Sequence, residues 1–405
     1  METKTGHPSW KSILVVLTLA HTVAAFCNLS IPPITPFLRD ELHLTYAQVG
    51  MLTSFFYTGV VAASIPAGWM SDLLGERRVL ALGLAVQGIF IIGFAIIHSF
   101  FLGGLFLLLA GIGYSSANPA TTRAVVNWFP QQGRATAMGT KQMGVPLGGI
   151  LAASLLPAMA LAFGWRLSLV FVGLAEMVFI VFVWRGLPAH VRSSKEGPKI
   201  HWEPFRKILA NRSIMALSIL GIFTAGAQLS IVTHLVLFLK SQLLFTSVLA
   251  GFYLAIAQIG GTTGRIGWGS VSDFLWRGRR KPVLVLIGGI AIAQLLFLGR
   301  VSAQESELLL ILIVGLLGST AIGFHGVLYG LIGELVEKES IGLTTGLMLT
   351  ITFLGIILFP PLFGHIVDLT GSYRMAWDFL ALSWLAATAM LVIFVSEKKG
   401  PQKIL

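Results

Sequence analysis

Apolar residues along this chain fall into twelve runs separated by short polar stretches: 12–36, 46–70, 79–98, 101–127, 135–160, 167–186, 213–239, 246–272, 282–299, 307–333, 341–366 and 375–395. A helix needs about 20 mostly apolar residues to cross a bilayer at 1.5 Å rise each. Each run therefore predicts one spanning helix. The longest polar stretch follows the sixth run, which divides the chain into an N-terminal six-helix bundle (1–187), a linker (188–212) and a C-terminal six-helix bundle (213–405). The expected fold class is an all-α membrane protein whose twelve transmembrane helices form two pseudo-symmetric bundles. An even number of crossings puts both termini on one side.

Composition agrees with that pattern. Of 405 residues, 55% are hydrophobic and 11% charged, against roughly 25% charged in a soluble domain. The first run has no small-residue cleavage site behind it and reads as a retained span. Its Cys27 is the sole cysteine, so no intramolecular disulfide is possible.

A net charge of +11 is compatible with nucleic-acid binding, but the placement of the basic residues argues for topology instead. With the N-terminus inside, inner segments carry 20 Lys and Arg and outer loops carry 5, Arg39, Arg166, Lys240, Arg300 and Arg374. Positive residues collect on the cytoplasmic side, so both termini are expected there. No basic patch interleaved with aromatics lies on a soluble segment, which excludes a nucleic-acid partner. The setting is a cell inner membrane, the direct partner the lipid bilayer, and the expected state a monomer.

The halves repeat. A shift of 201 pairs Thr45 with Thr246, Gly50 with Gly251, Gly59 with Gly260, Gly68 with Gly269, Ser71 with Ser272 and Asp72 with Asp273. A shift of 200 pairs Asn28-Leu-Ser30 with Gln228-Leu-Ser230, and one of 207 pairs Gly139 with Gly346. Internal repeats of this kind accompany a midplane binding site that opens alternately to each side.

The loop after the second run reads Gly68-Trp-Met-Ser71-Asp72-Leu-Leu-Gly75-Glu-Arg77-Arg78, and its counterpart Gly269-Ser-Val-Ser272-Asp273-Phe-Leu-Trp-Arg277-Gly-Arg279-Arg280. The glycines are expected to let neighbouring helices approach. The aspartates, with nearby arginines and a helix N-terminus, are expected to form a breakable latch. These two loops, at the repeat spacing, resemble the cytoplasmic signature of the major facilitator superfamily, and the likeness covers essentially the whole chain. The resemblance implies that spans 1, 4, 7 and 10 line a cavity, that 2, 5, 8 and 11 form the rocking interface, and that 3, 6, 9 and 12 are outer supports. The fifth span, with Gly139-Thr-Lys141-Gln-Met-Gly144-Val-Pro146-Leu-Gly148-Gly149, is similar to the Gly/Pro-rich fifth helix of the superfamily, with Pro146 one place off the common antiporter pattern. Leu107 stands in the fourth span where many proton-coupled members have Arg.

Ionisable residues inside the hydrocarbon are costly and mark function or pairing. Arg265 lies eight residues before Asp273, about 12 Å inside the cytoplasmic edge at helical rise. No acidic residue occurs at similar depth in the eight spans of the cavity and interface, so a substrate anion is the expected counterion. A guanidinium suits a carboxylate bidentately; the alternative is bonding to backbone carbonyls or snorkelling. Arg265-Ile-Gly-Trp-Gly269-Ser-Val-Ser-Asp273 also resembles the eighth helix of monocarboxylate and oxalate transporters, which implies that Arg265 holds the substrate carboxylate. Lys141 lies about 10 Å deep and either adds positive field or reaches the headgroups. Arg123 is shallower and reads as a gate residue. Glu176, midway along the sixth span, reads as a packed carboxyl or a proton-coupling group. His21, His234 and His325 are coupling candidates, since histidine titrates near neutral pH; buried packing residues are the alternative. His325 falls opposite Asn118 at the shift of 207. Asn118, Tyr114, Gln228, Gln258 and Tyr329 complete the candidate lining, and Asp72, Arg77, Arg78, Asp273 and Arg123 the candidate latch.

No Gly-x-x-x-x-Gly-Lys-Ser/Thr phosphate loop occurs, and His190 and His201 lack metal-ligand spacing. No cofactor, metal or enzymatic activity is expected. The leading reading is a secondary transporter for a small organic anion, a monocarboxylate, by alternating access with proton symport or anion exchange. The resemblance sets limits: nitrate carriers have an Arg in the second span that is absent here, oxalate exchange uses a Lys in the eleventh span, near whose place Thr352 lies here, and sugar-acid symporters have Arg in the first span and Glu in the fourth, both absent. Alternatives are an efflux antiporter for hydrophobic drugs or metabolites, and a non-transporting membrane receptor or scaffold.

Overall fold

The computed structural model describes residues 10–188, 211–302, 304–335 and 341–397. The expected linker, with His190 and His201, lies outside the described residues except for its ends, as do Lys338 and the basic tail. The described residues are helical throughout apart from short connections. Eleven helical stretches are long and apolar enough to cross a membrane. The remaining expected span, the eighth, is a helix of 24 residues, Ser247–Ser270. Gln258, Thr262, Thr263 and Arg265 make it less apolar than the others.

Several spans are interrupted, each for a local reason. The first is Trp10–Asn28 continued by Ile31–Leu42. Pro32 and Pro33 have no N–H to donate, so the helix cannot run through unbroken. The fourth is Phe100–Tyr114 followed by Ala117–Trp128, and the tenth is Glu307–Leu317, a π-turn at Gly318–Ile322, then His325–Leu335. At the shift of 207, Ser116 of the fourth break corresponds to Gly323 of the tenth. Both breaks place a polar residue, Asn118 or His325, in the first turn of the resumed helix. Such irregularities in a spanning helix persist where neighbouring groups re-satisfy the backbone.

The chain forms two compact units, Met1–Phe37 with Phe55–Lys199, and Leu38–Ser54 with Ile200–Leu405. In the first unit, Gly59 of the second span (Tyr46–Leu74) lies against the Leu108 carbonyl, and Gly111 against the Phe56 carbonyl. In the second unit, Gly260 lies against the Gly315 carbonyl and Gly318 against that of Ala257. These are the same contacts at the repeat shifts. A third pair follows the rule: Gly148 of the fifth span (Arg134–Gln142 and Gly144–Phe163) meets Thr22, and Gly355 of the eleventh (Ile341–Thr370) meets Ile222. With no hydrophobic force between helices in lipid, close backbone approach at small residues supplies dispersion contact.

Gly68 and Gly269 do otherwise. No described atom comes within 4 Å of where a Cβ would stand at either, so the expectation that these two glycines admit a neighbouring helix is corrected. Gly75 instead carries a positive φ of 85° at the turn into the third span (Glu76–Ala95), and Gly278 one of 81° in the counterpart loop. The left-handed conformation there is the reason for glycine.

Within the second unit, Leu38–Ser54 is held by several polar contacts. The Asp368 carboxylate accepts from the backbone N–H of Tyr46 at 2.9 Å and of Ala47 at 2.8 Å. Thr45 and Gln48 exchange side-chain and backbone hydrogen bonds at 2.9 and 3.1 Å, a capping box. The Ser54 hydroxyl donates to the Ile357 carbonyl at 2.5 Å. That carbonyl would otherwise face Pro361, which has no N–H to return.

Candidate functional site

In the second unit, the eighth span carries Arg265 and the resumed tenth span carries His325 and Tyr329. Arg265 is half-buried. Among the described residues no carboxylate pairs with it, and its buried Nε has no hydrogen-bond partner. Gly326 lies against the Arg265 carbonyl, so the two helices are in contact at this level. His325 and Tyr329 are close enough for their electrostatics to couple to the guanidinium. Their rings lie 5.8 Å apart, and Phe324 lies 4.2 Å from the His325 ring. His325 Nδ1 is 3.1 Å from the Ile322 carbonyl. A carbonyl only accepts, so Nδ1 carries the proton and Nε2 the lone pair. The break at 318–322 is what exposes the Ile322 carbonyl to this ring. An unpaired guanidinium, a basic imidazole nitrogen and a phenol thus share one neighbourhood, which is the chemistry an anion with a transferable proton needs.

The other lining candidates of this unit are dispersed. Gln258 is buried on the eighth span and Gln228 half-buried on the seventh (Arg212–Gln242). His234 is fully buried, its ring stacked on Phe363 at 4.7 Å and its Nε2 donating to the Pro360 carbonyl at 2.9 Å.

In the first unit, Lys141 does not snorkel: it is 0% exposed. Its Nζ donates to Asn118 Oδ1 at 2.9 Å, Thr121 Oγ1 at 2.9 Å and Thr122 Oγ1 at 2.8 Å, with the Asn118 carbonyl at 3.4 Å. All four oxygens are neutral. Thr121 and Thr122 were not singled out in the sequence, although Asn118 with positions three and four further on forms one helix face. His21 is buried on the first span near enough to interact with the Lys141 charge. Tyr114 packs on Phe56 at 5.7 Å, beside Tyr57, whose hydroxyl accepts from Asn28 at 3.2 Å. Glu176 of the sixth span (Trp165–Gly186) is fully buried against Gly88, with Cys27 as a polar neighbour.

Of the candidate latch residues in the first unit, Asp72 and Arg123 are brought together and Arg77 is bonded elsewhere. Asp72 pairs with Arg123, which also approaches Glu76 at 3.9 Å. Glu76 is buried and accepts from Trp128 Nε1 at 2.7 Å and Asn127 Nδ2 at 3.4 Å. Arg77 turns away from Asp72. It donates to the carbonyls of Trp184 and Leu187 at 3.5 and 3.4 Å and lies over the Trp184 ring at 4.6 Å. Arg78 is exposed. The second unit builds its latch from Arg280, which meets Asp273 at 2.5 Å and Glu334 at 3.2 Å. Glu76 and Glu334 were missed. Glu76 stood inside the motif, but burial is invisible in a short polar loop; Glu334 stands where the repeat has the uncharged Asn127.

Residues 17–323 match the family model of the Major Facilitator Superfamily. An uncharacterized MFS-type transporter of Mycobacterium tuberculosis (strain CDC 1551 / Oshkosh) is 28% identical over 95% of this chain and 85% of its own length. The hexuronate transporter of Bacillus subtilis (strain 168) is 26% identical over 94% of this chain and 93% of its own. Among solved structures, a bacterial homologue of the human lysosomal transporter Spinster, inward-facing and unoccupied, superposes with a TM-score of 0.77 at 20% identity, covering 95% of each chain. The spanning helices, the repeated loop and break positions and this family match have one consequence: the chain is a multi-pass membrane transporter, not an enzyme, and belongs to the major facilitator superfamily.

Proposed function

We propose that this transporter carries a small organic anion bearing one carboxylate, by alternating access, and that Arg265 is the anchor for that carboxylate. The observation that carries the reading is a half-buried guanidinium whose Nε has no partner and which no described carboxylate neutralises. A buried cation without a counterion is unfavourable, and a bound anion removes that cost. The hexuronate transporter among the relatives moves a carboxylated sugar, which favours an anionic cargo in the same class. The charged residues that sugar-acid carriers place in the first and fourth spans are absent here, so the burden falls on the eighth span.

His325 is the coupling group in this reading. Its Nε2 lone pair accepts a proton, and an imidazolium beside Arg265 is tolerated once the anion sits between them. Symport of proton and anion follows from that mutual dependence. Lys141 contributes charge at a distance, since its donors are occupied. His234 and His21 are packing residues. The protein sits in the cell inner membrane with both termini cytoplasmic.

Uptake by proteoliposomes, measured over a panel of labelled monocarboxylates, sugar acids, dicarboxylates and organic cations, tests the proposal. Accumulation of a carboxylate that falls at least about 100-fold in Arg265→Ala supports it, given the several kcal/mol a bidentate pair supplies in a dry site. Uptake restricted to cations, or a carboxylate carried equally well by the variant, ends it.

A further inference from the structure

The surroundings of Lys141 are unusual for an ammonium. Three side-chain oxygens at 2.8–2.9 Å and a carbonyl at 3.4 Å surround Nζ, all from the first turns of Ala117–Trp128, and none is charged. Among the described residues, the other groups in reach bring no anion. Gln142 Nε2 donates to the same Asn118 Oδ1 at 3.4 Å, the first span brings His21, and Arg123, one residue beyond Thr122, is held by Asp72 and Glu76. Neutral hydroxyl, amide and carbonyl oxygens around one positive centre are the ligand set of a hard monovalent cation. The 2.8–2.9 Å separations suit an ion as large as ammonium or potassium better than the smaller sodium. Thr121 Oγ1 is also committed as a donor, to the Ala117 carbonyl at 2.6 Å. Its lone pairs therefore point to the ring, and the site is oriented before the cation arrives. Asn118 is exposed while Lys141 and Thr121 are not, so one member of the ring stands at the surface.

We propose that Asn118, Thr121 and Thr122 form a monovalent-cation site which the chain fills with its own tethered ammonium. Lys141 is the permanent occupant, and the carrier is independent of dissolved alkali cations for that reason. Removal of the ammonium leaves a ring of oxygens whose lone pairs repel one another, and an external cation of ammonium or potassium size takes the vacant place. The inference concerns the first unit alone and stands whether or not Arg265 anchors the cargo.

The test is thermal melting of the purified full-length protein in detergent, with choline chloride exchanged for ammonium, potassium or sodium chloride at about 100 mM. The wild type is expected to melt at the same temperature in all four. Lys141→Ala is expected to melt lower in choline and to regain at least about 3 °C in ammonium or potassium, the size of shift that saturable binding to the native state produces. Lys141→Ala/Thr122→Val, with one oxygen removed, loses the recovery. Lys141→Met, whose apolar stem occupies the ring, shows none. A Lys141→Ala protein indifferent to every salt, or folded in none, overturns the proposal, as does equal recovery in the double variant or in Lys141→Met. A sodium-dependent wild type overturns it as well.

Discussion

Arg265 and Lys141 are both cations within spanning helices, and the difference between them is what surrounds the charge. Lys141 has one compact head whose three protons find three side-chain oxygens. Arg265 has a planar fork with five donors, and its buried Nε has no partner among the described residues. The first is a satisfied group, the second an unsatisfied one, and only the second offers hydrogen bonds to a visitor. Arg265→Lys keeps the charge but loses the fork, so carboxylate uptake is expected to fall about tenfold or more in kcat/KM; an unchanged value would show that charge alone suffices. His325 is the next residue to test. His325→Gln keeps a polar side chain and cannot take up a proton. Wild-type uptake is expected to rise as external pH falls, because the proton is a co-substrate, whereas the variant's rate becomes nearly flat between pH 5.5 and 8, as initial-rate measurements across that range will show. His234 makes a useful control. Its Nε2–H is bound to the Pro360 carbonyl, and its replacement by Phe is expected to lower stability by about 1 kcal/mol and leave the pH profile alone.

At the scale of elements, the paired contacts of spans 2 with 4 and 8 with 10 set how closely the helices carrying these residues approach. Gly318 stands against the Ala257 backbone, where a side chain has no room. Gly269 faces no described atom within 4 Å. Gly318→Val is therefore expected to separate the eighth and tenth spans and abolish folded protein by size-exclusion chromatography, while Gly269→Ala remains within about 0.5 kcal/mol of wild type. The breaks in spans 4 and 10 matter for the same reason. They free backbone groups and restart the helix so that Asn118 and His325 fall in a first turn, one feeding the ring around Lys141 and the other standing beside Arg265. Between the two latches, the aspartate is kept and the source of the cation differs. In the first unit the cation Arg123 comes from the fourth span and the acids from the loop region; in the second the cation Arg280 starts the ninth span (Arg280–Leu298) and the acid Glu334 comes from the tenth. The repeat thus preserves the aspartate and an ion pair at each place without preserving which helix supplies the cation.

At the scale of the whole molecule, the twelve runs and their spacing were legible because a bilayer leaves a chain few options: each crossing must satisfy its own backbone and be apolar over the full hydrocarbon thickness. The eighth span is the one crossing that departs from this pattern in hydropathy, and it is also the helix that carries Arg265. The glycines of the close contacts were visible as a repeat for the same reason, since a backbone approach tolerates one residue type. What the sequence by itself determined about this protein is therefore its class, its span order, its internal repeat and the identity of the intramembrane charges. The partners of those charges were decided only by tertiary structure. Of the arginines available to Asp72, Arg123 pairs with it while Arg77 bonds carbonyls at the end of the sixth span, and Lys141 finds oxygens some 20 residues earlier in the chain. A hydrogen bond depends on angstrom-scale position and direction, and helix packing sets both between residues that no sequence interval relates.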